Sequence, residues 1–322
     1  MTATARALWT TGPGRFEIRS QSLPVPGDGE VLVTTLQTAV SRGTETLIAT
    51  GAVPESEYQR MRAPVQEGDF PFPVKYGYAA VGQTPDGARV FALHPHQDRF
   101  VLPRAALRPV PDSVPTARAV LAANMETALN VLWDAGAGPG DRITVIGAGL
   151  VGLLAARLAR RLPGAVVQIV DRDAGRGDQA RALDLDFRAP DAATPDRDIV
   201  INASASGAGL DQALALAGFE ATVVEASWHG SRPVSLHLGH GFHARRLRLI
   251  SSQVGHVAAG RRARLTHADR LDMALGLLDD PVLDALVVDA VAFDQAPARL
   301  PGHLSGTGPD PALTGTVLRL LY

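Results

Sequence analysis

Two hydrophobic rhythms divide the chain. Up to about residue 110, apolar and polar positions alternate in short runs, the two-residue period of half-buried strands. Residues 6–9, 15–19, 30–37 and 88–93 read as strands, broken by Gly12-Pro13-Gly14 and by the proline- and glycine-rich stretch 24–29. The segment 40–47, the irregular stretch 48–68 and the run 70–82 lie between them, so this part predicts an antiparallel barrel with loops long enough to carry function.

From residue 117 the rhythm changes. Residues 117–135 are helical in pattern, and Val145 and Ile146 end a short apolar run that reads as a buried strand. Leu150, Leu154, Leu158 and Leu162 then recur every four residues, a helix stripe stopped by Pro163-Gly164. Further strands are predicted at 165–171, 198–202, 220–225 and 246–251, with helices near 174–183 and 208–217 between the earlier ones. This alternation is that of a doubly wound parallel sheet. A helix near 266–278 and strands near 285–293 and 314–321 follow, and their partner is the first sheet system. The expected division is therefore 1–116 with 262–322 as one domain and 117–261 as the other.

Composition adds two sharp facts to an ordinary globular balance of 46% hydrophobic and 20% charged residues with net charge −2. That balance excludes the basic excess of a nucleic-acid or anionic-membrane binder, no apolar run is long enough to span a bilayer, and the first residues lack a signal-peptide core. A cytoplasmic protein with a small-molecule substrate is expected. Cysteine is absent, which removes disulfides, thiolate nucleophiles and cysteine-held zinc. Lysine occurs once, at Lys75, among 31 basic residues, which marks its compact ammonium as a candidate for chemistry.

The junction of the apolar run and the leucine stripe is Gly147-Ala-Gly149-Leu150-Val151-Gly152. In this G-x-G-x-x-G turn the first glycine permits the sharp turn, the second a close approach of backbone to a pyrophosphate, and the third close helix–strand packing. The following helix start offers N–H groups to the anion. The second strand ends at Asp171, nineteen residues after Gly152, where a carboxylate bonds ribose hydroxyls. The combination predicts NAD. Arg172 and Arg176, close by, keep NADP possible. Ser204 and Ser206 are candidates to line the middle of the cofactor or to cap the next helix.

Barrel, glycine-turn domain and return to the barrel occur in an order that resembles the medium-chain dehydrogenase/reductase superfamily, the zinc-type alcohol dehydrogenase fold. Ser41-Arg-Gly-Thr-Glu45 and Gly77-Tyr-Ala look closest to its bacteriochlorophyllide dehydrogenase-like branch. The resemblance implies a GroES-like catalytic domain, a Rossmann domain, hydride transfer with nicotinamide, and a homodimer joined edge to edge around residues 247–254. Where the family has Cys-Gly-Thr-Asp this chain has Arg42-Gly43-Thr44-Glu45, and where it has Gly-His-Glu this chain has Gly77-Tyr78-Ala79. The third zinc ligand falls near Ala122 or Ala123. A zinc-free member is therefore expected, with Arg42 as fixed electrophile, Tyr78 as proton donor, Lys75 lowering the phenol's pKa, and Thr44 as the relaying hydroxyl. Arg42 could instead pair with Glu45.

Glu126 and Thr127 straddle a family position near the nicotinamide, and Thr127 is preferred because it brings no charge there. His94-Pro-His96 with Asp98, the trio His237, His240 and His243, and His229 are further polar groups without the flanking pattern of a metal motif. The leading expectation is an alcohol/carbonyl oxidoreductase acting on a polyol, cyclitol or ring-borne hydroxyalkyl group. The alternatives are an NADPH-dependent quinone or enoyl reductase and a non-catalytic dinucleotide sensor.

Overall fold

The computed structural model describes residues 4–307 and 317–322. The chain forms two compact units, Met1–Ala123 with Leu271–Tyr322, and Asn124–Arg270. Both boundaries lie further along than the expected 116/117 and 261/262. Arg118, 5% exposed, pairs with Asp284 at 2.7 Å and donates to the Leu278 carbonyl at 3.0 Å, which ties residues just past 116 to the first unit. Arg270, 1% exposed, bonds Glu126 and Asn130, which draws the residues before it into the second.

In the first unit the chain runs through β1 (Thr4–Gly12), β2 (Arg15–Ser22), β3 (Glu30–Val40), α1 (Arg42–Thr50), β4 (Glu67–Gly68), β5 (Val74–Lys75), β6 (Ala80–Gln83), β7 (Arg89–Ala92), β8 (Arg99–Pro103), β9 (Arg108–Pro109) and α2 (Thr116–Ala119). After the second unit come β16 (Asp289–Ala292), α9 (Ala296–Ser305) and β17 (Leu318–Leu321). One sheet has the order β2-β1-β5-β4; the other has β16-β17-β3-β6-β7-β9, with β8 also on β3. The part of the predicted closing strand at 314–316 lies outside the described residues.

β3 holds this unit together because its length lets it pair with β17, β6 and β8. Val31 and Val33, two apart on one face, join Phe100 and Leu102 in one core. Leu8, Val40, Ala49, Phe293, Leu300, Leu318 and Leu320 form another beneath α9. α1 begins after Ser41 and ends at Gly51, whose φ of 67° is a left-handed cap that a side chain would strain. The sequence pattern did not announce α1 or α9. α1 is short, and α9 carries Pro301 in its interior, so neither shows a clean stripe.

α3 (Ala122–Ala135) crosses the first boundary, and the second unit goes on with β10 (Arg142–Ile146), α4 (Leu150–Arg160), β11 (Val166–Val170), α5 (Gly177–Ala182), β12 (Asp186–Arg188), β13 (Arg197–Asn202), α6 (Gly207–Leu216), β14 (Ala217–Glu225), α7 (Gly241–Ala244) and β15 (Arg248–Ser251). α8 (His267–Leu277) crosses the second boundary. All strand pairs in the order β12-β11-β10-β13-β14-β15 are parallel. The change of direction from β10 to β11 on one side and β13 on the other opens a crevice at the carboxyl ends of these strands, where such sheets bind ligands.

Candidate functional site

The glycine turn sits at that crevice, and two of its glycines are required for different steric reasons. Gly147 has φ 102°, and a Cβ there would lie 2.8 Å from the Ala203 backbone. A Cβ on Gly152 would meet the Gly147 carbonyl at 1.9 Å, so the third glycine lets α4 start against β10. Gly149 is different. Its Cβ would meet only Arg176 Nη1, at 3.7 Å, so the space beside it is available to a ligand. Leu150 and Val151 open α4, and both are half-buried.

Asp171 follows β11 and faces the same turn. Its carboxylate accepts the Ala148 N–H at 2.7 Å and the Asp173 N–H at 2.9 Å, and pairs with Arg176 at 3.3 Å. Arg176 also reaches Asp173 at 3.4 Å, while Arg172 is exposed. The Asp171 carboxylate is thus already shared with a guanidinium. Ser204 donates to Asn202 Oδ1 at 2.7 Å, and Asn202 in turn donates to Glu225 at 2.6 Å. Ser206 caps α6 by accepting the Gly209 N–H. His229 pairs with Glu225 at 3.3 Å.

In the first unit, Tyr78 meets the start of α1. Its hydroxyl donates to Thr44 Oγ1 at 3.3 Å and is also hydrogen-bonded to the Ser41 side chain. Ser41 is the residue that precedes the helix, yet its hydroxyl makes no capping bond and is spent on the phenol instead. Burial pushes the Tyr78 phenol up to about 12, with the Glu45 carboxylate adding to the rise while the Ser41 and Thr44 bonds oppose it. The hydroxyl is thus a neutral donor across the physiological range. Because it donates to Thr44, the Thr44 proton is left for a further acceptor.

Two sequence expectations need correction here. Lys75 does not lower this phenol: its ammonium, 1% exposed, donates to Glu67 and to Gln97 Oε1 at 2.8 Å, and the phenol rises. Burial pulls the Lys75 pKa down against the opposing pull of Glu67. Arg42 does not pair with Glu45. Its Nη2 lies 2.5 Å from where a Cβ on Gly306 would stand, and its charge helps lower His303 to about 4, behind the larger effect of burial. The guanidinium is therefore at the carboxyl end of α9, where unpaired carbonyls favour a cation. Glu45, 8% exposed, instead accepts the Ser41 N–H at 2.7 Å and pairs with His96 at 3.1 Å.

Glu126 is occupied by a structural role. It pairs with buried Arg270 at 2.9 Å, and Arg270 also donates to Asn130 and to the His256 carbonyl, fixing α3 to the segment 254–258. Neighbouring Thr127 is half-buried on α3. His94 stacks on Phe100 at 3.9 Å, and His237 pairs with Asp211 at 2.8 Å. The zinc of the resemblance needs three protein donors, and among the described residues no group of three or more His, Asp or Glu side chains is placed to hold a metal. The donor set around Tyr78, Thr44 and Arg42 does not fit zinc.

Comparison with known proteins bears on the whole chain. The profile of the family "Alanine dehydrogenase/PNT, C-terminal domain" matches residues 131–203, the part from α3 through β13 that carries the glycine turn. D-xylulose reductase A of Aspergillus niger is 29% identical over 163 residues, 50% of this chain and 43% of that protein. The chain thus matches less than half the length of this curated relative.

Solved structures extend the likeness to both units. A protein described as a short chain alcohol dehydrogenase from E. coli CFT073, complexed with NADH, superposes with a TM-score of 0.77 at 17% identity over 99% of both chains. L-idonate 5-dehydrogenase from E. coli K-12 gives 0.78 at 12% identity, covering 100% of this chain and 99% of the other. At these identities the likeness is one of fold. No helix among the described residues is long and apolar enough to cross a membrane.

Proposed function

We propose that the protein is an NAD(P)-dependent oxidoreductase that interconverts an alcohol and a carbonyl, with side-chain hydroxyls rather than bound zinc handling the substrate oxygen. The convergence of Tyr78, Thr44 and Ser41 on one point at the start of α1 carries this reading. Two of the three, Tyr78 and Thr44, lie in the very segments where the resemblance places metal ligands. The nicotinamide dinucleotide, when bound, supplies or accepts the hydride. Gly149 leaves space that its pyrophosphate would take, Asp171 and Arg176 would hold its adenosine ribose, and Thr127 and Ser204 would contact the rest of it.

In the reducing direction Thr44 gives its proton to the substrate oxygen as charge develops there, and Tyr78 passes its own proton to Thr44. The phenol is then reprotonated from water. In the oxidising direction the same protons move back. Positioned proton donation of this kind contributes about a hundredfold to ten-thousandfold to a rate. The substrate class is a polyol or the corresponding ketose, supported by the resemblance to a reductase of D-xylulose, with NAD the preferred cofactor and a homodimer the expected assembly.

The test is turnover in the presence of a strong chelator, followed as NADH or NADPH consumption against D-xylulose and other ketoses. Activity that survives chelation, with well under one zinc per chain, is expected. Stoichiometric zinc whose removal abolishes activity overturns the metal-free part. Reduction of quinones or enones alone overturns the alcohol/carbonyl part, and cofactor binding without turnover leaves a sensor.

A further inference from the structure

Behind the hydroxyl cluster lies a hydrogen-bonded glutamate–histidine pair that the proposed reaction has not yet used. Glu45 and His96 are 8% and 1% exposed, and each is held at both ends. Glu45 Oε1 accepts the Ser41 N–H at 2.7 Å and Oε2 faces His96 Nε2 at 3.1 Å. His96 Nδ1 faces Thr38 Oγ1 at 2.7 Å, which lies 3.1 Å from the Tyr322 hydroxyl. A cavity of about 10 Å³, lined by Glu45, His96, Tyr76 and Thr10, adjoins the pair and is the size of one water molecule.

Burying a carboxylate without a full countercharge costs free energy, so such a group calls for an explanation. A cap for α1 does not require it, because an uncharged Gln could accept the same N–H. What distinguishes Glu45 is its surroundings. Tyr76 and Tyr78 from the 76–78 segment and Tyr322 beyond β17 all feel its charge; Asp98 and Arg6 act on the Tyr322 side as well. Ser41 is held by Glu45 through both its N–H and its carbonyl, and its side chain in turn holds Tyr78.

We infer that Glu45, braced by His96, is a positioning residue for the proposed reaction: it fixes the Ser41 turn that aims the hydroxyls at Tyr78. Burial is the main reason the phenol keeps its proton, and the Glu45 charge adds to it. This inference rests on the reading of Tyr78 as donor, and its test needs no turnover. The protein is labelled with 3-fluorotyrosine at its four tyrosines, and ionisation is followed by fluorine NMR without substrate or cofactor. Tyr78→Phe assigns the signal.

In the otherwise unchanged protein the Tyr78 signal is the neutral ring well beyond the pH at which a solvated fluorotyrosine ionises. Glu45→Gln, which keeps the shape and the acceptor for Ser41, lowers the Tyr78 midpoint, and Glu45→Asp does not. A Tyr78 midpoint that stays put in Glu45→Gln, or moves equally in Glu45→Asp, overturns the charge role. Should Glu45→Gln fail to fold, a Tyr78 signal in the parent protein that ionises like a solvated tyrosine overturns it as well. A failure of turnover with the expected fluorine shifts would instead count against the proposed reaction.

Discussion

The Tyr78 hydroxyl stands 3.3 Å from Thr44 Oγ1, with the phenol as donor, so the two side chains form an ordered pair with the Thr44 proton at its outer end. Tyr78→Phe removes the inner proton and leaves the ring's packing nearly intact. We expect kcat to fall about a hundredfold or more with KM little changed, and Thr44→Val to fall at least as far. Steady-state kinetics with the ketose that gives the highest rate checks both.

Arg176 shares the Asp171 carboxylate with two backbone N–H groups. Freed of the guanidinium, that carboxylate repels a 2′-phosphate more strongly and still bonds a ribose diol. Arg176→Ala should weaken NADPH binding about tenfold or more and leave NADH within about threefold. Fluorescence titration of the two reduced cofactors decides it, and equal losses would remove Arg176 from cofactor selection.

The glycine turn separates folding from binding. Gly152→Ala places a Cβ 1.9 Å from the Gly147 carbonyl, a clash with backbone that only movement of α4 relieves. It should destabilise by about 2 kcal/mol or more. Gly149→Ala meets only the end of the Arg176 side chain at 3.7 Å, so the variant should melt within a few degrees of the parent and yet bind dinucleotide at least about tenfold more weakly. Thermal unfolding and cofactor titration on the two proteins make the comparison.

His94 is 5% exposed, and burial lowers its pKa to about 3; nearby Lys75 and His96 add smaller effects in the same direction. The unfolded chain takes up this proton near 6.5 and the folded chain only near 3, so the unfolded state binds more protons between those values. Stability should therefore fall as pH drops from about 6.5 toward 3, His94 contributing a few kcal/mol at the acid end. His303, lowered to about 4 mainly by burial, acts in the same sense over a narrower window. His94→Phe, which keeps the stack on Phe100, should lessen the loss between pH 7 and 5 in denaturant titrations.

Much of the fold was legible along the chain because it is built from local periodicity. The parallel strands at 142–146 and 197–202 are buried on nearly every position, so they show as short, mostly apolar runs, and Gly147 and Gly152 obey constraints set by the turn itself. Asp171 could be found by counting, since one strand–helix–strand unit has a set length. Tyr78 and Thr44 came from matching short segments to a family pattern, and the structure then brought their hydroxyls together.

What tertiary structure decided was the choice of partner. The sequence offered Arg42 a neighbour in Glu45 and placed Lys75 three residues from Tyr78, but Arg42 lies beside Gly306 at the end of α9, while Glu67 and Gln97 claimed Lys75. Glu45 went to His96, fifty-one residues away, across the turn that β3 and α1 create. A charged side chain can be satisfied by any group the fold brings within about 3 Å, and that distance depends on packing between elements far apart in the chain. Period and turn chemistry are written locally, whereas the pairing of buried charges is settled only once the cores have closed around them.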